Sequence, residues 1–458
     1  MKMFIRSEKI HFVGIGGVGM SGIAELLLRL GFRVSGSDIS ESPVLKRLRH
    51  NGAEIHVGHR ASNIRDQDVV VVSSAIDASN PEIREAQKRR IPVIPRAEML
   101  AELMRLKKGI AVAGTHGKTT TTSMLGNILQ TAGLDPTTIV GGKFLNIGGN
   151  ARYGRGEYLV CEADESDGSF LRLTPIVNIV TNIDNDHMDF YKTWENLRGA
   201  FRMFINLVPF YGFSVVCGDD ANVRRVLKES TKIYYTYGFG EKNDYRATEV
   251  EATDDGMSFD IGFGSKKLGR FHVPRFGKHA VLNAMAAAIV AFNLKVPSTE
   301  IRKGLAAFLG VGRRMEFLGE AEGIRVFDDY GHHPTEIRNT IDAFRLIPAK
   351  RRIGLFQPHR YSRTKLLAKE FGPAFQGLDM LVVTDVYAAS EEPIRGISGR
   401  TIADRVTGVK KVLYVQDKKE IPQAVVPLLE EGDMVITFGA GDIYKTGHSL
   451  LELLKKRR

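Results

Sequence analysis

The chain has 458 residues, room for about three domains of ordinary size, and its 43% hydrophobic and 26% charged content excludes a disordered protein. The net charge of +11, from 64 Lys+Arg against 53 Asp+Glu, suits anionic ligands. No basic stripe interleaved with aromatics accompanies it, so nucleic acid is not an expected partner. No apolar run approaches the roughly 18 residues that span a bilayer, and no secretory signal is present, so no membrane insertion is expected. Cys161 and Cys217 each close an apolar strand-like run and read as buried thiols, which points to a reduced, cytoplasmic protein.

In chain order, Lys9 to Gly14 reads as a strand that runs into Gly14-Ile15-Gly16-Gly17-Val18-Gly19. A helical stretch (Ser21 to Leu30), Gly31 and a second strand (Phe32 to Ser37) follow, with Asp38 nineteen residues beyond Gly19. This is the dinucleotide fingerprint, in which glycines allow a tight turn and a close approach to a pyrophosphate at a helix N-terminus. The pattern fits NAD, any nucleotide diphosphate including a UDP-sugar, or a packing turn. Further βα alternation places Ser73 and Ser74 at the carboxyl end of a β-branched run (Asp68 to Ser74), where ligands of doubly wound sheets sit. Pro81 to Arg90 and Ala97 to Leu106 read as helices, with a short edge element bracketed by Pro92 and Pro95 between them. Lys107-Lys108-Gly109 reads as a domain boundary.

Next comes a buried strand, Ile110 to Ala113, breaking into Gly114-Thr115-His116-Gly117-Lys118-Thr119-Thr120 and a helix. Strand, glycine turn, lysine, hydroxyl and helix hold a polyphosphate: turn N–H groups face its oxygens, Lys118 reaches the terminal phosphates and Thr119 is placed to ligate Mg²⁺. The general pattern wants glycine at 112, where Val112 stands, so the match is a shortened one. Lys118 is expected on a solvated loop, contributing little to packing. Gly141-Gly142-Lys143 and Gly148-Gly149-Asn150 read as framing a flexible loop.

The strand Tyr158 to Cys161 ends in Glu162-Ala163-Asp164-Glu165-Ser166-Asp167. Four carboxylates in six residues are costly to pack unpaired, and at a strand end after a phosphate loop they favour a Mg²⁺ role over a plain surface turn. The strand Ile176 to Val180 leads to Thr181-Asn182-Ile183-Asp184-Asn185-Asp186-His187, where His187 is a candidate second metal ligand. A strand-rich region (213–271) precedes an alanine-rich helix whose Asn283 faces a nucleotide or caps. After Gly310-Val311-Gly312-Arg313-Arg314, βα alternation returns as a doubly wound sheet. Its polar loops are Asp328-Asp329-Tyr330-Gly331-His332-His333-Pro334, Gln357-Pro358-His359-Arg360-Tyr361-Ser362-Arg363 and Gly439-Ala440-Gly441-Asp442.

Taken together and in this order, the loop at 114–120, the acidic run at 162–167, the 181–189 stretch and the 328–336 stretch resemble the Mur ligase family over essentially the whole chain. The shortened phosphate loop is that family's own form. The resemblance implies an α/β protein of three domains: a Rossmann-like UDP-sugar-binding domain (1–107), a central P-loop ATPase-type domain (108–311) and a Rossmann-like closing domain (312–458) that brings in the amino acid. It implies ATP-dependent joining of L-alanine to the carboxylate of UDP-N-acetylmuramate, through an acyl phosphate and a tetrahedral intermediate.

By resemblance, Gly14, Gly16, Gly17, Gly19, Asp38, Ser73 and Ser74 serve the UDP-sugar. The loop residues 114–120 and Asn283 serve ATP. Thr119, Glu162 and His187 hold Mg²⁺, Lys118, His187, Arg314 and Asp329 are catalytic, with Arg314 also at the ATP. Tyr330, His332, Arg360 and Arg363 orient the alanine. Two departures from the family pattern stand out: Ala280 follows His279 where asparagine is usual, and Arg202 occupies the place of a lysine that sister ligases carbamylate. The rival readings are a ligase that recycles a tripeptide onto the same sugar, a NAD-dependent dehydrogenase, and a non-catalytic ATP switch. The oligomeric state and the base that deprotonates the amine are left open.

Overall fold

The computed structural model describes residues 8–73 and 75–457, apart from the side chain of Val18. Three sheets organise an α/β chain of three domains. The first has five parallel strands in the order Glu54–Val57, Arg33–Asp38, Lys9–Val13, Val69–Val72, Val93–Pro95. Helices lie between successive strands, so their carboxyl ends share one edge of the sheet. That edge carries Gly14, Asp38, Ser73 and Arg96.

The second sheet has ten strands, with Lys108–Ala113 between Val177–Val180 and Tyr158–Glu162. Ile110, Ala111, Val112 and Ala113 are fully buried, as expected of a parallel strand covered on both faces. Thr137–Phe144 and Gly149–Arg152 form an antiparallel hairpin at one edge of this sheet. The flexible loop expected at 141–150 is therefore paired structure. Its register shifts between Ile139 and Phe144, and the Gly141 N–H leaves the ladder to donate to Glu162 Oε1 at 2.5 Å. The glycines there are a bulge, which a sequence pattern reads as a loop.

The third sheet runs Glu316–Ala321, Ile324–Asp329, Met434–Phe438, Arg352–Phe356, Met380–Val383, Lys411–Tyr414. All are parallel except the first, an antiparallel edge strand the sequence pattern did not single out.

The chain gathers into two compact units: residues up to 250 with 258–274 and 281–309, and residues 251–257, 275–280 and 310 onward. The first and second sheets, on either side of the expected boundary near 107, fall in the same unit. The helix Val18–Arg29 packs on the hairpin of the second sheet, where a Cβ on Gly22 would stand 3.2 Å from Ala151, and Asn150 donates to Ser21 Oγ at 3.2 Å.

In the first sheet a fully buried Glu82 accepts from Ser37 Oγ and from Asn63 Nδ2, both at 2.5 Å, with His11 Nε2 3.6 Å and His59 Nδ1 3.5 Å away. Burial alone would raise its carboxyl, but the nearby His11 ring and the hydrogen bonds from Ser37 and Asn63 outweigh it and hold the value down at about 2. Both cysteines are buried and free, and burial pushes the Cys161 thiol up to about 12.

Candidate active site

The glycine loop of the first sheet is largely self-satisfied. Gly14 and Ile15 N–H donate to Ser37 O (2.9 and 3.0 Å), and Gly17 N–H donates to Gly14 O (3.3 Å). Gly16 N–H donates to Asp38 Oδ2 at 2.8 Å, while Asp38 Oδ1 takes the Ile39 N–H at 2.8 Å. Asp38 thus braces the loop, each of its oxygens taking one N–H and keeping a lone pair for a further donor. A Cβ at Gly16 would lie 2.8 Å from that carboxylate, so the glycine lets the loop approach Asp38 closely. What remains for an anion is the first turn of the helix Val18–Arg29, whose N–H groups have no intrahelical acceptor. Ser73 lies beside Gly14, 3.5 Å from where its Cβ would be. Ser74 falls outside the described residues.

In the second sheet the strand Lys108–Ala113 delivers Gly114 (φ 132°) and Gly117 (φ 85°), and the helix Lys118–Thr131 begins at once. Both glycines are required twice over: their backbone is left-handed, and a Cβ would meet Thr181 Oγ1 at 2.1 Å or Asn283 Oδ1 at 2.6 Å. Asn283, on the helix Lys278–Asn293, is thereby placed against the loop and does not cap. The 181–184 stretch laces the loop down. Thr115 N–H donates to Asn182 O (3.1 Å), His116 N–H to Asn182 Oδ1 (2.9 Å), and Thr181 Oγ1 to His116 O (2.6 Å). His116 Nε2 stands 3.1 Å from Asp184 Oδ2.

Lys118 is not solvated. Its side chain is 17% exposed and donates to Gly114 O (2.7 Å), Thr115 O (3.3 Å) and Glu165 Oε1 (2.9 Å), and Glu165 itself is 1% exposed. The expectation of a loop lysine that contributes little to packing is corrected. The reason is that the acidic run folds inward and buries a carboxylate that needs a cation. Burial works against the Lys118 charge, but Glu165, Asp164 and Glu162 outweigh it and hold the ammonium above its usual range.

Glu162 behaves conversely. Burial raises its carboxyl, only partly countered by the Gly141 N–H, Lys118 and the Thr119 hydroxyl. A half-buried carboxylate beside a threonine hydroxyl and further carboxylate oxygens is a donor set that suits a hard cation. His187 Nε2 lies 3.8 Å from Glu165 Oε1 and 3.7 Å from Asp186 Oδ2. Thr119, Glu162 and His187 are thus gathered around Glu165 and Lys118. Thr120 follows in the helix's first turn. Arg202 pairs with Glu229 on the outer face of the helix Trp194–Asn206.

The second unit assembles the third group. Asp329 is 3% exposed and accepts from Met315 N–H (2.9 Å) and Gly331 N–H (2.7 Å). Burial pushes its carboxyl up to about 6 against the pull of Arg314. Arg314 bonds Glu336 Oε1 (3.2 Å) and lies over the Tyr330 ring (5.3 Å), and burial with its positive charge holds His279 down at about 4. The His332 and His359 rings are 5.5 Å apart, and Arg363 Nη1 donates to His359 Nδ1 at 3.2 Å. Arg360 takes a left-handed φ of 69° at the start of the helix Tyr361–Leu366.

Sequence reasoning passed over Glu165 as the Lys118 partner, His359 as the centre of the third group, and Arg96. Arg96 follows directly on the edge strand Val93–Pro95, and its position at a parallel strand's carboxyl end was the available signal.

Comparison with known proteins follows the same division. Family models match at residues 9–108 (Mur ligase family, catalytic domain), 112–291 (Mur ligase middle domain) and 313–441 (Mur ligase, glutamate ligase domain). A UDP-N-acetylmuramate–L-alanine ligase of Pelobacter propionicus is 52% identical, covering 99% of this chain and 100% of its own length. One of Geobacter sulfurreducens is 49% identical with full coverage of both. Among solved structures, a UDP-N-acetylmuramate–alanine ligase of Thermotoga maritima superposes with a TM-score of 0.82 at 30% identity, over 98% of this chain and 100% of that one. A murein peptide ligase of Psychrobacter arcticus reaches 0.71 at 25%, over 98% and 99%. With three matching models in register and relatives half identical from end to end, the chain belongs to the Mur ligase family.

Proposed function

We propose that the chain joins L-alanine to the carboxylate of UDP-N-acetylmuramate at the expense of ATP, releasing ADP and phosphate, as a cytoplasmic step in building peptidoglycan precursors. The observation that carries this reading is the ring of Lys118, Glu165, Glu162 and His187 on a laced glycine loop, in a chain half identical to ligases of that name. Residues 1–107 take the UDP-sugar, 108–311 the ATP and 312–458 the amino acid.

A carboxylate resists attack by an amine because oxide is a poor leaving group. Phosphoryl transfer to it gives an acyl phosphate, the amine adds to form a tetrahedral intermediate, and phosphate leaves. Two anions meet in the first step. Lys118 places a fixed positive charge at the loop, and the N–H groups of the following helix add partial charge. Thr119, Glu162 and His187 would hold Mg²⁺, which supplies further charge neutralisation for the transferred group. Asn283 buttresses the loop at Gly117. His332 and Arg363 lie against His359, with Tyr330 against His332, and the guanidinium groups of Arg360 and Arg363 offer a planar donor fork to a free α-carboxylate. Arg314 and Asp329 belong to the same unit and brace that loop.

The test is phosphate release with ATP, UDP-N-acetylmuramate and a panel of amines. Release that needs the sugar and is fastest with L-alanine, with glycine and L-serine weaker, is expected. Faster turnover of a tripeptide would move the assignment to the recycling activity. The dehydrogenase reading leaves the phosphate-loop lysine and the acidic run unused, and tight NAD binding by the chain would favour it.

A further inference from the structure

Between the two glycine loops of the first unit stand one guanidinium and one carboxylate that the reaction above does not use. Arg96 opens the helix Arg96–Met104, and its side chain lies along the first glycine loop. A Cβ at Gly19 would come 3.0 Å from Arg96 Nη1 and 3.2 Å from its Cδ. The third glycine of the fingerprint therefore makes room for an arginine beside the helix N-terminus. At its far end Arg96 Nη2 lies 3.7 Å from Asp164 Oδ2, in a pair 24% and 44% exposed. Asp164 belongs to the acidic run, and its charge helps keep Lys118 protonated. One carboxylate thus has a cation of the sugar side on one flank and the phosphate-loop lysine on the other.

We propose that Arg96 and Asp164 are an exchangeable tie coupling the two substrate sites: a diphosphate entering at the first glycine loop takes Arg96 from Asp164, and the released carboxylate strengthens binding of nucleotide with its cation at the second loop. The proposal rests on the reading that the first domain takes a UDP-sugar. A half-exposed ion pair holds weakly, so it exchanges easily. A diphosphate offers the planar guanidinium two charged acceptors at once, which is the stronger pairing. Release of Asp164 leaves one more uncompensated negative charge near Glu162 and Thr119, and the coupling must be the same in both directions.

Titration calorimetry of the full chain with UDP-N-acetylmuramate and with a non-hydrolysable ATP analogue in Mg²⁺, each alone and with the other saturating, tests this. In the unaltered chain each ligand should tighten the other on the order of fivefold. Arg96→Ala should weaken the UDP-sugar roughly tenfold or more and, by freeing Asp164, tighten the analogue alone on the order of fivefold; Arg96→Lys should recover part of the UDP-sugar loss, which a merely structural role would not produce. Asp164→Asn should still bind both ligands with the coupling gone. Unchanged UDP-sugar affinity in Arg96→Ala, or full coupling in Asp164→Asn, would overturn the proposal. Failure of the unaltered chain to bind UDP-N-acetylmuramate would instead overturn the functional reading beneath it.

Discussion

Replacing Lys118 by alanine should do two separable things. It removes the charge that meets the transferred phosphoryl group, and it strands Glu165, a carboxylate 1% exposed whose nearest cation is that ammonium at 2.8–2.9 Å. Removing one partner of a buried pair costs about 3–5 kcal/mol, because the other charge stays buried and unpaired. Loss of a charged transition-state contact costs about 2.7–4 kcal/mol more in activation, a factor of roughly 10² to 10³. The two effects part company in the double variant Lys118→Ala/Glu165→Gln, where no buried charge is left uncompensated. Urea unfolding should show the single variant markedly less stable and the double variant recovering most of the loss. Phosphate release should stay down by at least the same factor in both. Equal stability of the single variant and the unaltered chain would refute the claim that the pair is buried and mutually dependent. Recovery of turnover in the double variant would refute the assignment of Lys118 to the phosphates.

Three further outcomes are expected. Glu82, held at about 2 against an ordinary 4.5, contributes on the order of 3 kcal/mol of stability. Because the folded value is the lower one, that contribution is complete above pH 4.5 and fades as pH falls towards 2. Glu82→Gln should therefore be less stable at pH 7 by about that amount, with the gap closing in acid; a gap independent of pH would rule this out. Glu162→Gln should shift the Mg²⁺ titration of activity to clearly higher concentration, since one ligand charge is lost, and an unmoved titration would make Glu162 structural. Arg363→Ala, which also removes a hydrogen bond to His359, should raise the KM for alanine by roughly tenfold or more and leave that for ATP nearly unchanged. Equal rises in both would place Arg363 away from the amino acid.

Local chemistry was readable from the chain itself. A buried apolar run followed by glycines, a lysine and hydroxyls can only be a strand breaking into a loop and a helix, and the structure has Lys108–Ala113, Gly114, Gly117 and Lys118–Thr131 in those roles. The same holds for the parallel strands of the first and third sheets and for the buried cysteines, because periodicity and the φ freedom of glycine act within a few residues. Where the reading failed, the cause was distance along the chain. Gly141 and Gly142 looked like a loop until Glu162 took the Gly141 N–H and bent the strand. Lys118 looked solvated because its partner stands 47 positions away, and Arg96 was silent because its neighbours, Gly19 and Asp164, belong to other elements. Sequence by itself determined which segments turn, which run straight and which chemical groups cluster at strand ends. Only the tertiary structure decided which of those groups face one another, because strand order and helix packing, not spacing along the chain, set the distances over which charges pair.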